Sequence, residues 1–258
     1  MDDPRLSVMY RYVEEYTNAH DLSVAREIMH PDYRFTMGAT TLDLPAYLGM
    51  VDNALGHFTD LRLDVNSFVV GPDRLAMKFH ESATSLRHSR RATWPGIALY
   101  DFHEDGRLLS VEVEQDFWGR RRQFAGEAPH TPVPSTDPSV WTSAVGSDQP
   151  ATRVLVQSAL RSVASHEAVT YDDGSPLMVD ASLVAVHDVI VSDRDFAAWI
   201  AISGAYLPHP ASPPLAVEEG APITFTATGT GTLDPDGTVA AHFVTDRYGA
   251  WTRHRPIP

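Results

Sequence analysis

Acidic side chains recur at every second position around residue 114. Glu112, Glu114 and Asp116 precede Trp118 at the same spacing, and Val111 and Val113 occupy alternate positions. Because side chains alternate between the two faces of a β-strand, this spacing places the carboxylates on one face. On a solvent-facing strand they would be ordinary surface charges. If the face lines a poorly solvated cavity, burial and repulsion raise the pKa of one carboxylate and suit it to general acid/base chemistry near neutral pH.

A histidine on another predicted strand is a second candidate for proton transfer. His80 shares one face of its strand with Lys78 and Ser82, opposite Phe79 and Glu81. Next to an acid on a neighbouring strand, an imidazole can relay a proton. A structural or exposed histidine is the alternative interpretation.

Neither a metal site nor a cofactor site is indicated by residue spacing. The 12 histidines form no His-x-x-x-His or His-Glu-x-x-His pair. Gly229-Thr-Gly231 lies in a strand pattern and lacks the third glycine and the helix of a dinucleotide-binding turn. We therefore expect an activity that needs neither a metal nor a cofactor.

Composition limits the class of protein. The chain has 258 residues, 43% of them hydrophobic and 21% charged, which is typical of globular domains. Its net charge of −14 opposes binding to nucleic acid. The basic clusters at 87–91 and 120–122 are interpreted as solvated. The chain has no cysteine, no apolar run long enough to span a membrane and no visible signal peptide, so we expect a cytoplasmic protein.

Periodicity predicts a mixed α+β layout. Apolar residues at helical spacing indicate a first helix that ends near 18–20, a second after Asp21, and a third after Asp43 with Pro45 in its first turn. A short strand is expected at 32–37. Period-two patterns then predict an antiparallel meander of four strands at 61–70, 75–84, 94–103 and 107–118.

Two segments of the chain resemble each other. Residues 105–119 and 236–249 both run from Asp-Gly through a strand pattern to Asp, two further residues and Gly. This repeat predicts two related domains, at 1–128 and 139–258, joined by a Pro-rich linker at 129–138. The second domain has fewer residues before its strands and is predicted to be an abbreviated copy.

Several motifs resemble the SnoaL-like branch of the nuclear-transport-factor and ketosteroid-isomerase superfamily. They are Tyr12-Val13 before Asn18-Ala-His-Asp-Leu22, His30-Pro-Asp-Tyr33, and Glu114-Gln-Asp116-Phe-Trp-Gly119 followed by Arg122-Gln-Phe124. The resemblance implies tandem cone-shaped, cystatin-like domains. In each, a curved antiparallel sheet would wrap around helices and enclose one pocket.

The resemblance also assigns candidate roles to residues. The two carboxyl groups of the steroid isomerases fall at Met37 and Ala98 here, so that chemistry is disfavoured. SnoaL-type polyketide cyclases place an acid/base aspartate at the end of the last strand, which corresponds to Asp116. The predicted site consists of Asp116 as base, Glu114 or His80 as its partner, Tyr12 or Tyr33 as a donor to an oxyanion, and Met37, Trp118 and Glu112 as further substrate contacts.

The second half is expected to have lost most of its polar pocket, although Asp246 is retained at the position of Asp116. It would then serve as a built-in dimer partner in an intramolecular pseudo-dimer. A homodimer of the whole chain is a further option. The predicted function is a cofactor-free acid/base enzyme for a small polyketide-like molecule, acting by cyclisation, isomerisation or epoxide opening. A noncatalytic small-molecule-binding or scaffold protein is the alternative.

Overall fold

A computed structural model describes residues 3–128, 136–162, 169–171, 177–210 and 214–254. Residues 129–135 of the predicted linker lie outside these ranges. Val140 and Trp141, which the predicted boundary assigns to the second domain, pack into the core of the N-terminal half. Across the described residues, none of the helices combines the length and the apolar character needed to cross a membrane.

The N-terminal half contains helices and a mixed sheet. Its helical segments are α1 (Pro4–Tyr10) with a π-helical continuation (Arg11–Asn18), a 3-10 turn (Leu22–Val24), α2 (Ala25–Ile28), α3 (Leu44–His57) and α4 (Phe117–Ala125). Its strands are β1 (Met29–Met37), β2 (Thr40–Asp43), β3 (Arg62–Val70), β4 (Leu75–Ser85), β5 (Arg90–Phe102) and β6 (Leu108–Gln115). The start of α3 is confirmed, because the Asp43 side chain accepts a hydrogen bond from the Ala46 N–H (3.0 Å).

The rest of the chain forms a second sheet with fewer helices. A 3-10 turn (Pro138–Thr142) and α5 (Pro150–Leu160) come first. The strands and last helix are β7 (Val169–Tyr171), β8 (Val179–Ser192), β9 (Asp195–Tyr206), β10 (Pro222–Leu233), β11 (Val239–Thr245) and α6 (Arg247–Arg253). The fold is therefore α+β with two separate sheets.

The two sheets have matching strand orders. The first is β2-β1-β6-β5-β4-β3 and the second is β7-β11-β10-β9-β8. β1 pairs with β6 in parallel, and β7 pairs with β11 in parallel. The remaining pairings in both sheets are antiparallel. The shared order agrees with the repeat seen in the sequence. A common origin of the two halves stays a prediction.

The inner face of the first sheet packs against its helices. Met77 and Phe79 of β4, Ala98 and Tyr100 of β5, and Val113 of β6 belong to one buried cluster with the N-terminal helices. Because the side-chain period of a strand is two, the next inward position on β4 after Phe79 is residue 81. This parity decides which polar side chains reach the interior.

The outer face of the first sheet is covered by the second sheet. Ile97 and Leu99 of β5 pack with Ile190 and Ala197 in a cluster that spans both halves. The Thr228 hydroxyl also donates a buried hydrogen bond to the Ile97 carbonyl (2.8 Å). The first sheet is therefore buried on both faces around β5, and Glu112 and Glu114 of the neighbouring β6 lie on the side that faces the second sheet.

The repeated Asp-x-x-Gly motif is a helix cap. The Gly119 N–H donates to the Asp116 carboxylate (2.8 Å) at the start of α4, and the Gly249 N–H donates to the Asp246 carboxylate (2.9 Å) at the start of α6. The predicted continuation of the last strand to residue 118 is wrong. Because the capping carboxylate turns the chain into a helix, β6 ends at Gln115.

The cap explains why each motif ends in glycine. A Cβ placed on Gly119 would overlap the Asp116 carboxylate, and one on Gly249 would overlap that of Asp246. We predict that Gly119→Ala lowers the free energy of unfolding by about 1–2 kcal/mol, the usual cost of losing a cap. Chemical denaturation would measure this.

Gly49→Ala is the matched control. Gly49 lies inside α3, and a Cβ there meets no atom within 4 Å. Alanine should stabilise that helix by roughly 0.5–1 kcal/mol. Equal responses of the two variants would contradict the proposed origin of the motif.

Candidate functional site

A cavity of about 630 Å³ opens from the inner face of the first sheet toward α3 and α4. Its walls are largely aromatic, and its deepest residues are nearly inaccessible to solvent. The aromatic lining includes Tyr12, Phe35, Tyr47, Phe58, Trp94 and Phe117. Tyr248 of α6 adds a wall from the C-terminal half. The size and apolar lining are typical of pockets for small organic molecules.

Glu81 is the only carboxylate among the described residues that line this cavity. It lies on β4 opposite Trp94 of β5. Burial raises its pKa to about 7, although Arg120 and hydrogen bonds from Trp94 and Gln115 pull in the opposite direction. A carboxyl group with this pKa exchanges protons readily near neutral pH.

Arg120 provides a positive charge beside Glu81. It extends from α4, and its guanidinium lies 4.0 Å from the Phe117 ring centre and 4.9 Å from that of Trp94. Burial lowers the pKa of Arg120, while Glu81 raises it. Because arginine stays protonated in proteins, the aromatic rings hold a permanent cation in the cavity wall.

Tyrosine hydroxyl groups lie at the inner end of the cavity. The hydroxyls of Tyr12 and Tyr47 are hydrogen-bonded to each other (3.1 Å). Burial raises the pKa of Tyr12 to about 12, so its phenol keeps its proton at neutral pH. These hydroxyls are potential donors to an oxygen atom of a bound molecule.

One hydrogen bond orients the polar groups on the sheet side. The Trp94 indole N–H donates to the Gln115 side-chain oxygen (2.8 Å). Both residues line the cavity on the strands that follow β4 in the sheet. Their pairing leaves the Gln115 amide N–H groups available near Glu81.

Of the predicted site residues, two line the cavity. Tyr12 and Met37 contribute to its wall. Tyr33 is fully buried in the helix-facing core, where its ring lies 5.4 Å from that of Tyr47. Trp118 lies on α4 instead of a strand, with its ring 6.0 Å from that of Trp251.

The predicted acidic face points neither to solvent nor to the cavity. Glu114 is 1% exposed and accepts a hydrogen bond from the Gly38 N–H (3.1 Å). Asp116 caps α4 and lies 3.5 Å from the Arg247 guanidinium of the C-terminal half. The expectation that these carboxylates line the cavity is therefore wrong, because Glu114 lies on the outer face of β6 and Asp116 caps the helix that follows this strand.

The remaining two predicted residues also lie on the outer face. Glu112 lies 3.9 Å from the Arg74 guanidinium, which also pairs with Asp188 across the sheets (2.6 Å). Burial raises the pKa of Glu112 to about 7, with a contribution from Asp101. His80 shares a hydrogen bond with the Asn66 side chain (2.6 Å) and does not meet Asp116 in a proton relay.

The sequence contains a signal for Glu81 that the search for acidic runs overlooks. Glu81 follows Met77 and Phe79 at alternate positions, so a single acid continues an apolar strand face. Acidic residues are seldom buried in an apolar core, and those that are buried often belong to functional sites. This pattern therefore marks Glu81 as a candidate site residue. Arg120 has no comparable signal, because its approach to Glu81 depends on the turn at Asp116.

A second polar cluster lies away from the cavity. Ligand atoms of His30, His103 and Asp105 come within 4.8 Å of one another. Each imidazole Nδ1 already accepts a main-chain N–H, from Asp32 (3.2 Å) and Asp105 (3.3 Å) respectively. The Asp105 carboxylate also accepts two hydrogen bonds from Arg107. These contacts fit a hydrogen-bonded turn better than a set of metal ligands.

Solved structures provide several similar chains. TsrD from Streptomyces laurentii is 20% identical, covers 49% of this chain and 99% of its own, and has a TM-score of 0.44. IdmH from Streptomyces antibioticus, described as a putative polyketide cyclase, is 19% identical with coverages of 48% and 99% and a TM-score of 0.43. AclR from Streptomyces galilaeus, described as a putative hydroxylase, is 18% identical with coverages of 48% and 97% and a TM-score of 0.43.

No curated protein matches the chain. Residues 9–111 match the model of the SnoaL-like domain family. This match extends from α1 to the middle of β6 and does not include α4. Over residues 9–111 the chain is therefore similar to SnoaL-like domains.

Proposed function

We propose that the protein is a cofactor-free acid/base enzyme that isomerises or cyclises a small, polyketide-like molecule in the N-terminal cavity. The observation that carries this proposal is Glu81, a carboxyl group with a pKa of about 7 in an aromatic cavity beside Arg120. In this role Glu81 replaces the outer-face carboxylates favoured by the sequence.

The proposed reaction begins with proton removal from carbon. The Glu81 carboxylate takes a proton from a carbon next to a carbonyl group, and the C–H electron pair moves to form an enolate. Arg120 stabilises the negative charge on the enolate oxygen, and the Tyr12 hydroxyl is a further donor within the same cavity. Protonated Glu81 then returns the proton to another carbon or, after the enolate attacks a second carbonyl, to the new alkoxide.

The raised pKa matches this chemistry. A glutamate with an ordinary pKa is too weak a base to remove a proton from a carbonyl compound efficiently, whereas one near 7 combines greater basicity with substantial ionisation at neutral pH. The cavity supplies one carboxylate among its described lining residues, so enolate chemistry is better supported than epoxide opening by paired carboxyl groups.

A noncatalytic binding protein is the second candidate. Asp116 is held by its cap and by Arg247, and His80 is held by Asn66, so the predicted Asp–His relay is not assembled. The aromatic cavity alone would bind a small molecule. The two functions make different predictions for a variant that lacks the Glu81 carboxylate. Its loss should slow a reaction if the protein is an enzyme, and a binding protein has no such reaction.

Replacing the proposed base tests catalysis directly. With an aryl 1,3-diketone as a carbon-acid probe in D₂O, we predict that Glu81→Gln reduces protein-dependent hydrogen exchange at least about 100-fold, as expected for loss of a general base. NMR would follow the exchange. The probe's affinity should change little, because Gln keeps the size of the side chain.

Glu104→Gln is the matched control, because Glu104 lies in the exposed turn between β5 and β6. It should leave the exchange rate unchanged. The wild-type rate should rise with pH and level off above about 7, where Glu81 is ionised. Exchange that persists in Glu81→Gln would exclude Glu81 as the base and leave the binding function as the better candidate.

The pKa of Glu81 also predicts a pH-dependent effect on stability. The folded pKa of about 7 lies above the ordinary glutamate pKa of 4.5. The unfolded chain therefore releases this proton at lower pH, and the stability of the wild type falls, relative to that of a neutral side chain, as pH rises between these values. Once the pH exceeds the folded pKa, the loss of stability has reached its full size.

We predict that Glu81→Gln and the wild type have similar free energies of unfolding at about pH 5. At about pH 8 the variant should be the more stable, by on the order of 3 kcal/mol. Denaturant titrations at both values measure the difference. Glu112 also has a raised pKa, but it is present in both chains, so its effect on stability cancels in the comparison. A difference in stability that does not depend on pH would show that Glu81 has an ordinary pKa.

A further inference from the structure

The rim of the cavity is basic. Four of its exposed lining residues carry a guanidinium or imidazole group: His57 of α3, Arg87 and His88 of the β4–β5 turn, and Arg121 of α4. The lining contains no exposed carboxylate among the described residues. This arrangement contrasts with a chain whose net charge is −14.

The two rim arginines differ from their neighbours in having no carboxylate partner within the described part of the chain. Arg91, near Arg87, pairs with Asp60 (2.8 Å). Arg122, next to Arg121, pairs with Glu127. Arg91 and Arg122, which have carboxylate partners, therefore lie off the cavity, whereas Arg87 and Arg121 line it. Arg90 also lies off the cavity and donates to the Phe124 carbonyl (3.2 Å).

Arg121 is held in place by the C-terminal half. Its guanidinium lies 4.7 Å from the ring centre of Trp251. Trp251 in turn contacts Trp118 and Tyr248, with ring centres 6.0 and 5.5 Å away. Stacking on an aromatic ring restricts a guanidinium without neutralising it, so Arg121 is positioned and still available to an anion.

The cavity thus joins an aromatic interior to a cationic rim. Low-dielectric walls concentrate the field of the rim charges at the opening, and this favours entry of an anion over a neutral molecule of the same shape. The interior carboxyl group of Glu81 lies next to Arg120 and so does not cancel the rim charge.

We propose that the ligand of this cavity is a flat aromatic or polyenic compound that carries an anionic oxygen group, a carboxylate or its equivalent. The apolar body lies among the aromatic walls, and Arg87 and Arg121 bind the anionic group at the rim. This proposal rests on the proposed function for the identity of the site and adds the chemical class of the substrate.

Two fluorescent probes with the same skeleton test the proposal. 1-Anilinonaphthalene-8-sulfonate carries an anionic group, and N-phenyl-1-naphthylamine lacks it. The intact wild-type protein should bind the sulfonate about ten-fold more tightly, and added NaCl should reduce that preference. Arg87→Gln and Arg121→Gln should each weaken sulfonate binding roughly three-fold, and the double variant about ten-fold, which corresponds to two exposed charge interactions.

The neutral probe should bind all these variants equally. Arg26→Gln, which removes an exposed cation from α2 far along the chain from the rim, should change neither affinity. If the sulfonate binds no more tightly than the neutral probe, or if the ratio is the same in the double variant, the proposal is wrong.

Glu81→Gln separates this proposal from the proposed function. It should abolish carbon-acid exchange but keep or increase the preference for the sulfonate, because it removes a negative charge from the cavity. Exchange that survives in Glu81→Gln refutes the catalytic role and leaves the preference for anions intact. A lost preference with normal Glu81-dependent exchange refutes only the ligand class.

Discussion

The central strands of the first sheet are covered on both faces, and this constraint decides the environment of the polar residues that they bury. Helices cover one face and the second sheet covers the other. Because consecutive side chains point in opposite directions, Glu81 enters the aromatic cavity while His80 enters the interface between the sheets. A shift of one position in the pairing of β4 would exchange these two environments. The register of β4 with β5 therefore sets the chemistry of the site.

The same constraint explains why the most conspicuous acidic run has a structural role. Glu114 and Asp116 face the second sheet, where burial of an unpaired carboxylate would be costly. Each has a specific donor, the Gly38 N–H for Glu114 and the Gly119 N–H for Asp116. Asp116 also approaches Arg247, which begins the helix that carries Tyr248 into the cavity wall. The motif aspartate thus helps to position the wall of the cavity.

Much of the fold follows from local patterns, whereas the site depends on contacts between distant segments. The meander strands and the Asp43 cap of α3 were predictable because hydrophobic period and capping chemistry act within a few residues. Residues 116–118 were assigned to a strand because alternation alone cannot show that the Asp116 side chain turns back on Gly119. The resemblance pointed to Tyr12 and Met37, which both line the cavity, whereas their roles stay predictions. The strand patterns alone do not show that the second sheet packs on the outer face. Without that information, the sequence could not decide whether the acidic residues of β6 face solvent or the cavity.

The pKa of Glu81 depends on which charged groups lie close to it. A nearby histidine cation would lower the pKa of a buried carboxyl group, and two histidines lie on the far side of the sheet. Burial and Lys78 lower the pKa of His80, and the same two causes lower that of His242 to about 4. Both imidazoles are therefore largely neutral at neutral pH. Among the described residues, Arg120 is the cation that counteracts the effect of burial on Glu81, and it also contacts the surrounding rings. The raised pKa of Glu81 is therefore the result of burial in the cavity, opposed by the charge of Arg120.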